Sequence, residues 1–303
     1  MSQELPAAAE GPEDALSSKM ALRWGQNRRL EFLDFRLQFE GRFNRSDLTS
    51  FFGISTPQAT TDISRYIERA PDNAVYDGST RGYVATTEFK PLFPTNDPSR
   101  FLNELLARTT DVLPAEQSFL GWMPSTVTVP SPVRRLEPAT VLAVLTAIRR
   151  GIQMNVAYQS MSSSEPSVRM VSPHGVAFDG FRWHVRAYCH MRHEFRDFVL
   201  ARILDVQPTD EPGKSAAEDT AWHQVVSLVL APNSRLPKST RRVIELDYAM
   251  ENGEVVLECR QAVLFYALKR LGLLNADSTN PEEQQIVLRN RAAVMKFLRI
   301  KNE

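Results

Sequence analysis

Cysteine is scarce: 303 residues contain only Cys189 and Cys259. Two thiols build neither a disulfide framework nor a cysteine-rich metal site, so a reducing, cytoplasmic location is expected. No stretch of about 18 apolar residues occurs, so neither a membrane-spanning helix nor a membrane partner is expected. The opening "MSQELPAAAEGPEDALSSK" has no basic start followed by an apolar block, which argues against a secretory signal. Residues 1–19 read instead as a disordered tail. There is no phosphate-cradling glycine-rich loop and no "GxSxG" elbow. No Cys/His set has zinc spacing. The expectation is a chain that is not an enzyme and holds no metal or cofactor.

Net charge is zero, but lysine is unevenly spread. None lies between Lys90 and Lys214, whereas arginine is frequent there, from Arg134 and Arg135 to Arg192, Arg196 and Arg202. A guanidinium fork suits phosphate or carboxylate and stacks on bases. Codon bias towards arginine in a GC-rich genome gives the same pattern. At 303 residues, with 43% hydrophobic and 24% charged residues, the chain suits a globular protein of two or three domains.

Residues 20–94 read as a helix, a helix pair and a hairpin. "ALRWGQNRRLEFLDFRLQF" has Leu22, Leu30, Leu33 and Leu37 at helical spacing, with Gly41 beyond its end. "SDLTSFFG" predicts a short helix with Ser46 as N-cap and Gly53 as its stop. "STPQATTDISRYIERA" predicts a second helix, with Thr56 as N-cap and Pro57 at its first position. Val75–Tyr76 and Tyr83–Val84 flank a hairpin loop that carries Arg81.

On a wheel of about 100° per residue, Ala59, Ile63, Tyr66 and Ile67 gather on one side of the second helix. Gln58, Thr61, Ser64 and Arg65 gather on the other. Short polar groups and an arginine suit base-edge contacts in a major groove. Helix, turn, helix and basic-tipped hairpin in this order predict a winged helix-turn-helix. Its DNA-contacting residues are expected to be Arg45, Ser55, Thr56, Gln58, Thr61, Ser64, Arg65 and Arg81. A helical hairpin with a solvated outer face would produce the same wheel.

Residues 95–137 are rich in Pro, Ser and Thr and read as a linker arm with one short helix near 98–109. "PATVLAVLTAIRRG" is a helix stopped by Gly151. Four strand-like pieces follow, "IQMNVAYQ", "VRMVSPHGVAF", "FRWHVRAYC" and "EFRDFVLARIL", with Asp179-Gly180 as a hairpin signal. A run of short strands suggests a small barrel or curled sheet over 138–208. "TDEPGKSAAEDT", residues 209–220, is a linker by composition, and 221–303 mixes strands and helices. The segment 280–303 is ambiguous between a helix after Asn280-Pro281 and a strand at "QIVL". The fold class is α+β.

"GFRWHVRAYCH" alternates. Trp183, Val185, Ala187 and Cys189 point towards a core; His184, Arg186, Tyr188 and His190 point the other way. His184 and His190 lie roughly 20 Å apart along a strand and cannot share an ion. Ser172, His174 and Asp179 have no nucleophile elbow to organise them as catalysts. Arginines beside aromatic rings suit a nucleotide or single-stranded nucleic acid. A solvated face with a few salt bridges remains the alternative.

"RWHVRAY" followed by "EFRDFVLARI" resembles the core of WYL domains. Of their Trp-Tyr-Leu triplet only the tryptophan is kept, in Trp183-His184-Val185. Of their Arg-Leu-Asp-Arg ending, Val199-Leu200-Ala201-Arg202 keeps the leucine and the final arginine. "AYQSMSSSEPSVRMVSPHGVAFDGFRWHVRAYCH" is similar to the bacterial winged-helix WYL regulators of the BrxR/CapW type, encoded beside anti-phage defence operons. "IELDYAM" and "VLECRQAVLFYALKRLGL" resemble the C-terminal extension of those regulators. The resemblance implies a homodimer whose winged helices bind an inverted repeat in double-stranded DNA. It implies an Sm/SH3-like WYL barrel that senses a nucleic-acid or nucleotide ligand, and a dimerising domain over 221–303. Carried onto this sequence, the ligand face is Tyr158, Ser160, Arg169, His174, Arg186, Tyr188, Arg196 and Arg202. The function implied is repression of a defence operon relieved by that ligand. An activator responding to DNA damage and a nucleic-acid-processing enzyme are the competing readings.

Overall fold

The computed structural model describes residues 12–132, 134–275 and 280–298. The chain divides into two units, 1–130 and 131–303.

The first unit begins with α1 (Pro12–Glu40), β1 (Arg42–Phe43), α2 (Arg45–Phe52) and α3 (Thr56–Arg69). It continues with β2 (Ala74–Asp77), β3 (Gly82–Ala85) and α4 (Pro98–Thr109). Helix α1 starts inside the expected tail, since Pro12 onward is helical; residues 1–11 of that tail lie outside the described residues. The N-cap of α2 is Asn44, not Ser46. Its side chain accepts from the Asp47 N–H at 3.0 Å while Asp47 accepts from the Asn44 N–H at 2.7 Å. This reciprocal box satisfies two otherwise orphaned donors, which a cap two residues further in cannot do. The N-cap of α3 is Ser55 rather than Thr56, so Pro57 falls one residue deeper. The expected hairpin forms, with Val75 opposite Val84 and Tyr76 opposite Tyr83, and β1 adds a third strand in the order β1-β3-β2.

The core of this unit is aromatic. Phe32 stacks on Phe51 at 4.9 Å and meets Phe119 edge-on at 5.2 Å. Leu105, Phe119 and Leu120 are buried in the same cluster as Leu33, Leu48 and Ile63. The segment read as an arm from residue 95 therefore completes the first core as far as about residue 120. Polar composition concealed the apolar anchors Leu105 and Phe119-Leu120. Gly121 shows how closely this segment lies on α1: a Cβ there would overlap the Arg36 guanidinium.

One carboxylate holds the same segment. Asp34, with no exposure, accepts from the Tyr66 hydroxyl at 2.7 Å and from the Leu92 and Phe93 N–H groups at 3.0 and 3.1 Å. The Asn96 amide adds a fourth bond at 3.2 Å. Burial and the neighbouring carboxylate push the Tyr66 phenol well above its ordinary pKa, so it stays a donor.

The second unit opens with α5 (Pro138–Arg150), ended by Gly151 in the left-handed region, φ +63°. Five strands follow: β4 (Ile152–Tyr158), β5 (Ser167–Phe178), β6 (Trp183–Cys189), β7 (Glu194–Val199) and β8 (Ile203–Pro212). They form one antiparallel sheet in the order β7-β6-β5-β4-β8. Strands β7 and β8 are its edges, and among the described residues no ladder joins them, so in place of the expected closed barrel the sheet is open. Val144 and Ala147 of α5 pack with Met154, Val156, Val171, Val185 and Ala187 on one face.

The remaining elements are α6 (Thr220–His223), β9 (Val225–Pro232), α7 (Lys238–Asp247), β10 (Val255–Arg260), α8 (Leu264–Arg270), β11 (Ile286–Leu288) and α9 (Arg291–Val294). The order β10-β9-β11 makes a three-stranded sheet. Its core joins Leu228 and Leu230 to Ile244, Leu264 and Leu268. "QIVL" is thus a strand, and the Asn280-Pro281 start makes only a turn. The segment 209–220 is not a free linker. Strand β8 runs to Pro212, and Asp219, 1% exposed, caps α6.

Candidate nucleic-acid interface and effector cavity

Helix α3 places its two faces as its periodicity predicts. Ala59, Ile63 and Tyr66 are buried and Ile67 packs against the same core. Thr61, Ser64 and Arg65 are exposed at the i, i+3, i+4 spacing that puts them on one side. Ser55 and Thr56 are exposed at its start, and the Ser55 hydroxyl accepts from the Gln58 N–H at 3.4 Å. The Thr61 hydroxyl donates to the Pro57 carbonyl at 3.1 Å. Gln58 differs from the others. It is half-buried, and its Nε2 donates to Asp62 Oδ2 at 3.0 Å.

Arg45 is exposed at the first position of α2. Arg81 is exposed in the hairpin loop at φ +53°, a left-handed backbone that costs a non-glycine residue roughly 1 kcal/mol. Asp77 builds the turn before it by accepting from the Ser79 N–H and from the Ser79 and Thr80 hydroxyls, at 2.7–2.9 Å. Those donors hold the Asp77 carboxyl below its usual range. The loop thus presents one cation at its end.

In the second unit a cavity of about 540 Å³ opens between β-sheet and C-terminal residues. Six of the eight expected ligand residues line it: Tyr158, Ser160, Arg169, Arg186, Arg196 and Arg202. Phe195, Phe265 and Tyr266 add aromatic walls, while Glu194 and Asp197 add acid. Arg169 lies over the Tyr158 ring at 5.3 Å. Sequence reasoning missed Phe265 and Tyr266, because they come from α8, some 60 to 100 positions after the strands.

His174 and Tyr188 are not in the cavity wall. His174 Nε2 lies 3.0 Å from Asp219 Oδ2, and its ring meets Phe195 and Trp222 edge-on. It sits where β5 bulges against β6, beside Gly175. A Cβ on Gly175 would come within 2.9 Å of the Trp222 ring, so glycine lets that ring close over the strand. Tyr188 is half-buried beneath Lys214, 5.8 Å from its ring centre.

Arg186 lines the cavity but is not a free platform. It is 4% exposed and forks onto Asp219, with Nε to Oδ2 at 2.6 Å and Nη2 to Oδ1 at 2.9 Å. Its Nη1 donates to Asp197 Oδ1 at 2.9 Å, and the Tyr266 hydroxyl donates to Asp197 Oδ2 at 3.0 Å. Burial works against ionisation of Asp219, but Arg186 and His174 outweigh it and hold the carboxyl well below its ordinary range. Asp179 behaves alike: burial opposes its charge, while His184 Nε2 at 2.8 Å, two backbone N–H groups and Arg182 lower its pKa. The second face of "GFRWHVRAYCH" is therefore covered and self-paired. Trp183, read as core, is 45% exposed and tilts against Phe178 at 5.0 Å on the sheet margin. It lies opposite Phe178 in the last pair of the β5–β6 ladder, outside the buried core that α5 joins.

Among the described residues, no group of three His, Cys, Asp or Glu side chains is placed to hold a metal ion. No described helix is long and apolar enough to cross a membrane.

Three family models match the chain in succession. Residues 25–107 match the BrxR transcriptional regulator winged helix-turn-helix domain, 139–208 the WYL domain, and 225–294 the BrxR transcriptional regulator C-terminal dimerization domain. Named relatives match over nearly the whole length. The DNA-binding transcriptional repressor CapW of Escherichia coli (strain KTE188) is 43% identical over 288 residues, covering 95% of this chain and 96% of the relative. CapW of Stenotrophomonas maltophilia is 44% identical over 294 residues, covering 95% and 96%. CapW of Pseudomonas aeruginosa is 45% identical over 275 residues, covering 90% and 92%. With a winged helix, a WYL sheet and a C-terminal dimerization domain in this order, the chain belongs to the family of CapW DNA-binding transcriptional repressors.

Proposed function

We propose that this protein is a homodimeric, sequence-specific repressor of a phage-defence operon, relieved when a nucleic-acid or nucleotide ligand enters the cavity of its second unit. The observation that carries the reading is α3: a buried apolar face, an exposed polar face, and a basic-tipped hairpin after it. In the bound state Thr61, Ser64, Arg65 and Gln58 meet base edges in the major groove. Arg45, Ser55 and Thr56 contact the backbone, and Arg81 reaches a phosphate or the minor groove. Residues 225–294 pair two copies, so the operator is an inverted repeat.

The cavity supports ligand relief by its composition. Arg169, Arg196 and Arg202 supply cations and the aromatic walls supply stacking surfaces, a combination suited to phosphate and base together. Relief requires that the ligand bind one state of the dimer more tightly than the other. Arg186 sets the shape of the floor rather than serving as the first anion contact, because both its carboxylate partners already occupy it.

A gel shift with the DNA upstream of the protein's own gene tests the proposal. A sequence-specific band is expected, abolished by Arg65→Ala with Gln58→Ala. Absence of such a band, or one unchanged in the double variant, refutes it. Arg81→Gly keeps the left-handed backbone and removes the charge, so it should weaken binding on all sequences alike and flatten the salt slope by about one unit. Output of a promoter fusion in a deletion strain separates repression from activation, since loss of a repressor raises it.

A further inference from the structure

Asp62 is an acid on the inner border of α3, with no exposure. Arg29 Nε donates to its Oδ2 at 2.6 Å, Gln58 Nε2 to Oδ2 at 3.0 Å, and Gln26 Nε2 to Oδ1 at 3.4 Å. The bond from Arg29 is the short, charge-assisted one, and it ties the carboxylate to α1. The bond from Gln58 has a chemical consequence. An ionised carboxylate only accepts, so it binds the Nε2 end of the amide and turns Oε1 away. Gln58, Thr61 and Arg65 lie within about 60° of one another on the helix wheel. The carbonyl end of Gln58 is thereby held at the edge of the exposed face, next to the side chains proposed to read DNA.

We propose that Asp62, anchored by Arg29, is a specificity-determining positioning residue: it fixes the Gln58 amide so that its acceptor faces the base edges. This rests on α3 being the reading helix. An outward acceptor selects the exocyclic amino group of adenine or cytosine in the major groove and opposes the carbonyl oxygens of guanine and thymine. A glutamine without this partner rotates its amide freely and accommodates either kind of edge. Asp62 acts through Gln58 and touches no base itself.

The test is a selection from a random duplex pool, sequenced after binding to the full-length chain, with wild type, Gln58→Ala and Asp62→Asn. Asparagine keeps the shape but offers both a donor and an acceptor, so the Gln58 amide is free to flip. Wild type should prefer an amino-bearing base at one position of each half-site by roughly 5- to 150-fold. Gln58→Ala should lose that preference. Asp62→Asn should reduce it to about threefold or less at the same position, with the other positions and the salt slope unchanged. Retention of the wild-type preference by Asp62→Asn overturns the proposal, as does uniform weakening at every position, the signature of a purely structural role. A wild type without preference anywhere overturns the reading-helix assignment itself, and this proposal with it. Should Asp62→Asn unfold, the Gln58 side-chain amide decides by NMR in the wild type. One slowly exchanging Nε2 proton supports the lock, and two fast-exchanging ones refute it.

Discussion

Helix α3 and strand β6 carry the same kind of signal in sequence: apolar residues on one face, polar and charged ones on the other. Their outer faces have opposite fates. Thr61, Ser64 and Arg65 of α3 are exposed, whereas His184 and Arg186 of β6 are 2% and 4% exposed. The difference lies in what the later chain does. Among the described residues of its unit, nothing covers the outer face of α3. Strand β6 is roofed by Asp219 before α6 and by Tyr266 on α8, both distant in sequence. Periodicity tells which residues share a face, but not whether that face meets water or another part of the chain.

Two buried carboxylate sites also differ. Asp34 is held by four neutral donors, so its partners are replaceable one at a time. Asp219 and Asp197 share one cation, Arg186, and its loss takes the common counter-ion from two buried charges, with His174 still beside Asp219 and the Tyr266 hydroxyl beside Asp197. The largest expected effect follows: Arg186→Ala costs about 3–5 kcal/mol and lowers the melting transition of the second unit by roughly 6–20 °C. Calorimetry should show the first unit's transition unmoved. A drop of less than about 2 °C would mean that Arg186 is a dispensable surface cation.

Acid sharpens the same contrast. Asp179 and Asp219 ionise in the folded state below the ordinary value near 4. Their stabilisation is complete above about pH 4 and is lost as pH falls through the lowered folded values. Urea midpoints between pH 7 and 2 should therefore fall for the second unit at the acid end. A midpoint that rises there contradicts the pairing.

Smaller effects belong to the first unit. Tyr66→Phe removes one donor to Asp34 and the acceptor for the Asn73 amide, at about 1–3 kcal/mol by chemical denaturation. Asn44→Ala removes the cap of α2 and should cost about 1 kcal/mol. A neutral result at either position would mean that water replaces these bonds. The smallest effect on stability is expected at the cavity. Arg202→Ala should change it by less than about 0.5 kcal/mol while abolishing release from DNA by a phosphorylated oligonucleotide. Release unchanged in that variant removes Arg202 from the ligand site.

Local chemistry made much of this legible. Both helices of the helix-turn-helix, the hairpin after them and the stops at Gly53 and Gly151 follow from spacing and backbone preference. Two N-caps fell one or two residues off, because Ser46 and Thr56 compete with Asn44 and Ser55 for the same role. Asp219 was hidden in a stretch whose composition reads as linker, and its value depends on Arg186, 33 positions earlier. Asp62 lies at the border between the two faces of α3, where periodicity assigns it to neither.

The most direct measurement is footprinting of the full-length chain on the DNA upstream of its own gene. The account predicts two protected half-sites in an inverted repeat, about 10–10.5 base pairs apart centre to centre or a multiple of it. Protection should vanish in the Arg65→Ala, Gln58→Ala double variant and persist in Arg202→Ala. No protected repeat, or protection indifferent to the α3 substitutions, would contradict it.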